Sequence, residues 1–529
     1  MSLFHRPAAF WSGCLLICAG VLSHGPMFWM GRHTHWQMVG MPMTVEMWVG
    51  MALIPLGLLL AGWGLLPPPA GPAAGAGPGA RQFHMADDVA LNRQHLQLVL
   101  VLVVTLAIDV MKPATLGFVM PGMSHEYEIA RSRAGLLALS ALTGTTLGSV
   151  AWGRIADRIG RRAAILLSAL MFIGTAICGA MPAFEWNLAM CFLMGASAGG
   201  LLPITFTLMA EAVPARDRGW LLVALGGVGT SAGYLLAAGA AAWLEPLFSW
   251  RVLWLLGLPT GAVILLLNRY IPESPRFLWS TGRQAQALAI LQRFAGRPSG
   301  LERDDAAHPP PPVIDEGHPV VGMRQLLQGR HASLTWALIL CGTGWGLVNF
   351  GFLLWLPSNL SALGVDAGAS SALLARSAVY ALPGIAIVVW LYHRWSSYLT
   401  LVGFIGLTVL ALAGFAALAT SGLRDARLTV VMTVLLLTAV SGVIAMLIPY
   451  AAEIYPVHLR GTGSGVVAAS SKFGGILGAG IALLGFFDHL ALSALVLALP
   501  MAASAWLLAR RGVETRGVGL EDIQRRLQG

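Results

Sequence analysis

The chain has 529 residues, of which 57% are hydrophobic and only 11% charged. That is too little charge to cover a soluble surface of this size, so the composition excludes an ordinary globular enzyme or binding module and indicates an integral membrane protein. The formal charge of +9 does not signal nucleic acid, because the arginines fall in short connections between apolar runs, where they set membrane orientation.

Two apolar runs, 9–29 and 45–66, open the chain. Each is long enough as a helix of about 20 residues to cross a hydrocarbon core about 30 Å thick. The first is read as a retained span and not a signal peptide, since no small-x-small cleavage site follows it. The loop between them carries His24, Met27, Met30, His33, His35 and Met38. Thioethers with imidazoles suit Cu(I), whereas the plainer account of these methionines is adaptable helix packing. The segment PPPAGPAAGAGPGA at 67–80 cannot sustain a helix or a core, so 67–94 is a linker and lead-in.

Six predicted spans then occupy 95–271, a polar connection covers 272–330, six more spans occupy 331–510, and 511–529 form a tail. The predicted fold is all-α, two spans followed by two sets of six. Arg154, Arg158, Arg161, Arg162, Arg216, Arg218, Arg510 and Arg511 all fall on the side of the 272–330 connection if spans alternate, and Glu126, Glu128, Glu185, Glu245 and Asp488 fall on the other. The positive-inside rule then puts both termini in the cytoplasm, with a bacterial inner membrane as the expected location. Five cysteines lie in or beside apolar runs without CxxC or zinc-type spacing, and no cofactor is expected.

One pattern, AExxPxxxRG, occurs twice: AEAVPARDRG at 210–219 and AEIYPVHLRG at 452–461, offset by 453 − 211 = 242 residues. Such repetition marks two related halves. In each copy a Glu at a helix end, Glu211 or Glu453, is followed seven residues on by an Arg, Arg218 or Arg460, across a helix-ending Pro. Between the second and third spans of the first set lies GRIADRIGRR at 153–162. PESPR follows at 272–276, and ETRG at 514–517 precedes Leu520 and Glu521.

With these motifs, roughly residues 90–525 resemble the major facilitator superfamily, and within it the sugar-porter and the organic-ion and aromatic-acid branches. The resemblance implies a twelve-helix, two-half transporter whose central cavity opens alternately to either side, here preceded by two extra helices. Gly153, Asp157, Arg158, Gly160, Arg161 and Arg162 then form the loop motif, with Asp157 expected to latch a neighbouring helix N-terminus. At the corresponding place in the second half stands HRWSS, 393–397, a degraded copy that predicts asymmetric gating. The Arg that many relatives carry early in the fourth helix is replaced here by CFLMGASAGG, 191–200.

Asp109 and Lys112 stand three apart in the first of the twelve helices and share one face. Of the 33 Lys plus Arg only Lys112 and Lys472 are lysine, and both fall within apolar segments. A desolvated lysine can release its proton, an arginine effectively cannot. Asp109 with Lys112 is therefore expected to couple protons, with Lys112 supplying the cation missing from the fourth helix. An ion pair that merely permits insertion is the plain alternative, as is snorkelling for Lys472. Arg376 adds a third expected cavity cation, and Asn349 and Tyr380 are candidate hydrogen-bonding groups. These residues predict proton-coupled uptake of a small organic anion by a monomer. A copper importer, a neutral-sugar carrier, an effluxer and a non-transporting receptor remain open beside it, while no nucleophile–base set or phosphate loop supports an enzyme.

Overall fold

Within lipid every backbone N–H and C=O must find its partner inside the protein, and long apolar runs satisfy this by forming helices. The computed structural model of the chain describes residues 6–66, 89–295, 331–362, 367–421, 426–455 and 457–515. Among them fourteen helices are long and apolar enough to cross a membrane, in the order and number the hydropathy predicts. They are α1 Pro7–Thr34, α2 Val45–Leu65, α3 Arg93–Glu126, α4 Ser132–Ala156, α5 Arg161–Ala180, α6 Phe184–Ala212, α7 Arg216–Phe248, α8 Val252–Tyr270, α9 Ala332–Leu360, α10 Gly368–Arg394, α11 Ser397–Ser421, α12 Arg427–Ala451, α13 Gly465–Ala482 and α14 Leu490–Arg511.

In the N-terminal half α3 packs on α7 and α4 on α6; in the C-terminal half α9 packs on α13, α10 on α12 and α11 on α14. The halves meet where α7 lies against α10 and α12, α3 against the end of α9, and α4 against α13. At the end bearing Glu126 this joint is tight. A Cβ on Gly117 would stand 2.6 Å from the Leu354 carbonyl oxygen, so only glycine lets α3 and α9 approach this closely. Gly135 at the same end lies beside Ala482 and Trp355. At the opposite, Arg-rich end, Gly153 and Gly465 are exposed and a Cβ on either would meet nothing within 4 Å. The joint between the halves is thus tightly packed at the end bearing Glu126.

The extra pair, α1 and α2, packs through small residues, Gly13 against Gly57 and Gly20 against Gly50, which let the two backbones approach closely. The pair lies on α5. Its loop reaches over the tightly packed end of the N-terminal half: the Met38 N–H donates to Glu126 at 2.8 Å, the Gly40 N–H to the Pro182 carbonyl at 3.3 Å, and the Trp36 ring sits edge-on to Phe248 at 5.6 Å. The 308–317 stretch and most of the linker and tail lie outside the described residues.

Candidate functional site

A central cavity of about 180 Å³ lies between the halves. It is lined by α3, α4, α6 and α7 on one side and by α9, α12 and α13 on the other. Its charged lining residues are Asp109 from one half and Lys472 from the other, whose charges act on each other across the space. Thr145, Thr230, Tyr234, Asn349, Ser441 and Ser471 add polar atoms, and the remaining wall is apolar and aromatic, with Phe118, Trp345 and Phe350.

Lys112 donates to Asp109 Oδ1 at 3.3 Å, as the three-residue spacing on one helix face predicts. The two side chains nevertheless do different things. Asp109 lines the cavity, while Lys112 is 1% exposed, does not line it, and holds its ammonium 4.1 Å from the centre of the Phe172 ring of α5. A ring face stabilises a desolvated cation, so Lys112 is anchored in packing. The expectation that Asp109 and Lys112 both open onto the cavity, with Lys112 supplying its cation, is corrected: the carboxylate faces the cavity and the ammonium braces it from behind. Pro113 follows in the same helix and lines the cavity too. It has no N–H to give to the Asp109 carbonyl four residues back, which leaves that oxygen without its helical partner.

Lys472 is half-buried on α13 and faces the cavity. Asn349 faces it from the stretch Leu347–Leu353, where α9 loosens into a π-helical turn, a distortion that often marks functional sites. Arg376 and Tyr380 do not line the cavity; both are exposed on α10, Tyr380 at 57%. Their expected place at the substrate is therefore corrected, and Lys472 is left as the lysine or arginine in the cavity lining among the described residues. Tyr234, which also lines the cavity, was missed: its one signal in the sequence is a phenol inside the otherwise small and apolar run GGVGTSAGYLLAAG.

At the Arg-rich end Glu273 of the PESPR segment accepts hydrogen bonds from the backbone N–H groups of Arg161 at 2.7 Å and Arg162 at 3.3 Å, capping the N-terminus of α5. Gly160 precedes that cap with φ +103°, and its missing Cβ leaves room for the Glu273 carboxylate. Burial pushes the Glu273 carboxyl up, and the backbone N–H groups of Ser274, Arg162 and Arg161 pull against that shift. Arg162 donates to Asn268 at 2.7 Å, Arg161 to the Ala156 carbonyl at 3.2 Å, and Arg158 is exposed. The side chains of Asp157 and Arg460 lie outside the described residues.

Ser274 donates to Glu211, and in the other half Thr515 donates to Glu453 at 2.6 Å. Tyr392 also donates to Glu453, at 3.1 Å, and Arg218 to the Val213 carbonyl at 3.3 Å. The second half further repeats the α5 cap: Glu514 accepts from the Ser397 N–H at 3.0 Å. Where the loop motif looks degraded in sequence, the helix it would serve is still capped by a glutamate.

At the tightly packed end Arg251, fully buried, forms a bidentate pair with Glu126, 2.7 and 3.1 Å, and donates to the Gly179 and Met181 carbonyls. Trp250 donates to the same carboxylate at 2.9 Å. The candidate Cu(I) ligands are split between buried and exposed positions. His24, Met27 and Met38 are buried, with the His24 Nδ1 2.9 Å from the Gly20 carbonyl oxygen, whereas Met30, His33 and His35 are exposed. Among the described residues no group of three His, Cys, Asp or Glu is placed to hold a metal ion.

Residues 99–479 match the Major Facilitator Superfamily. The niacin transporter NiaP of Acinetobacter baylyi is 28% identical over 83% of this chain and 98% of its own length. The 4-hydroxybenzoate transporter PcaK of the same organism is 27% identical over 80% and 92%, and a gallate transporter of Pseudomonas putida 28% over 79% and 92%. Among solved structures, the partially occluded inward-open form of the xylose transporter XylE from E. coli superposes with a TM-score of 0.63 at 16% identity, covering 81% of this chain and all of that one. Two six-helix halves around a charged cavity, repeated glutamate caps and this match place the chain in the Major Facilitator Superfamily, a family of membrane transporters and not of enzymes.

Proposed function

We propose that the protein carries a small aromatic carboxylate inward together with a proton, by alternating access. The observation behind this reading is the cavity's charge arrangement. Asp109 is already in a direct ion pair with Lys112, which leaves Lys472 as the cavity-facing cation without a directly bonded carboxylate among the described residues, set in an apolar and aromatic wall. A cation set in such a wall suits an anionic group on a flat ring. The space is sufficient, since an apolar cavity of about 150 Å³ takes up benzene. Niacin, 4-hydroxybenzoate and gallate, named for the relatives' cargo, are aromatic carboxylates and support the same class. A neutral sugar would leave the Lys472 charge unanswered.

Coupling follows from electrostatics. An incoming carboxylate takes up the field of Lys472 that otherwise favours ionised Asp109, and a negative charge brought near a carboxylate favours its protonation. Asp109 then binds a proton as substrate binds. Lys112 keeps its place over Phe172, so the aspartate stays oriented through the cycle. The protein works as a monomer with both termini in the cytoplasm and the Arg-rich loops on the cytoplasmic face, where α4 and α13 part as the cavity opens inward.

The test is accumulation of labelled 4-hydroxybenzoate or nicotinate in reconstituted vesicles under an imposed pH gradient. Asp109→Asn is expected to exchange substrate across the membrane but to lose pH-driven accumulation. Undiminished accumulation by that variant refutes the role of Asp109, and a wild-type protein that moves no aromatic acid refutes the substrate class.

A further inference from the structure

Tyr234 of α7 lines the cavity, and its hydroxyl oxygen is buried with no hydrogen-bond partner among the described residues. Buried hydroxyls are nearly always paired, so an unpaired one on a cavity wall asks what completes it. Thr230, one turn back on the same helix and also in the lining, is already used: it donates to the carbonyls of Gly226 at 2.8 Å and Gly227 at 3.1 Å. The tyrosine ring is held by the tilted ring of Phe118, 5.9 Å away. From the other half Trp345 and Phe350 stand edge to face at 5.8 Å, and the Trp345 N–H is tied to the Val440 carbonyl at 2.8 Å. Of the aromatic residues in the wall, Tyr234 therefore keeps an uncommitted polar atom.

We propose that the Tyr234 hydroxyl is the group that distinguishes substrates by the polar atoms on their ring. It donates to a pyridine-type nitrogen or exchanges a hydrogen bond with a ring hydroxyl, while Lys472 holds the carboxylate. A site built to pair a substrate's polar group discriminates against the analogue that lacks it, because its own group is then left unpaired. The carrier accordingly prefers hydroxylated or pyridine carboxylates over plain benzoate. This assignment rests on the aromatic-carboxylate reading above.

Calorimetric titration of benzoate, 4-hydroxybenzoate and nicotinate into purified full-length protein, wild type and Tyr234→Phe, tests it. The wild type is expected to bind at least one polar-ring acid about tenfold or more tighter than benzoate. Tyr234→Phe is expected to bring that acid down to the affinity of benzoate and to leave benzoate unchanged. Loss of an unpaired hydroxyl should not lower the melting temperature of the ligand-free protein. A variant that keeps the preference, one that loses all three acids equally, a wild type without preference, or a variant that melts several degrees lower each overturns the role of Tyr234. A wild type that binds none of the three instead overturns the aromatic-carboxylate reading.

Discussion

Glu514 stands to the Ser397 backbone N–H, at 3.0 Å, as Glu273 stands to that of Arg161, at 2.7 Å. In each half an acidic residue just after the sixth helix caps the N-terminus of the third. The neighbouring hydroxyls, Ser274 and Thr515, donate to Glu211 and Glu453, the two glutamates of the repeated decapeptide. Capping carboxylates oppose the helix dipole and satisfy otherwise orphaned N–H groups.

Removing either cap with Glu273→Ala or Glu514→Ala should destabilise the protein by about 0.5–2 kcal/mol, the usual worth of a capping side chain. Melting temperature measures the loss, and the Gln variants, which keep an acceptor, should recover part of it. Transport rate should change with substrate preference intact, because neither residue lines the cavity.

Lys112→Met leaves Asp109 buried without its partner. Breaking a buried ion pair from one side destabilises by about 3–5 kcal/mol. The double variant Asp109→Asn with Lys112→Met removes both charges and should melt well above the single Lys112→Met protein. A double-mutant cycle on melting temperatures checks this, and additive losses would contradict the anchoring role.

Lys472→Met should weaken binding of an aromatic carboxylate by about 10- to 100-fold, as expected when a charge-assisted hydrogen bond is lost. Arg376→Gln, on an exposed face of α10, should bind as the wild type does. Titration of both variants with one ligand separates the cation that faces the cavity from the one that does not.

Glu126→Gln should lower the melting temperature strongly, because Arg251 is fully buried and would keep its charge without a carboxylate. Tyr127→Phe keeps the ring and removes only the hydroxyl to which Arg251 donates at 3.4 Å, and should cost less, about 1 kcal/mol. The order of the two melting temperatures is the readout.

The spans were legible because hydropathy averages over some twenty residues and needs no knowledge of neighbours. The direction of a side chain within a span was not. Spacing shows that Asp109 and Lys112 share a face, but only the position of α5 shows that the longer chain turns away to Phe172. Arg376 sits in a convincing apolar run, yet α10 packs against α7 and α12 and contributes none of its described residues to the cavity lining. The α11 cap was invisible for another reason. A motif records side chains, whereas Glu514 binds a backbone N–H that any residue at 397 would present.

The docking of α1 and α2 onto α5, sealed by the Met38 N–H on Glu126, makes the two rocking bodies unequal. One comprises eight helices and the other six. In a viscous bilayer drag grows with cross-section, so the C-terminal body is expected to take the somewhat larger share of any movement that carries Lys472 relative to Asp109.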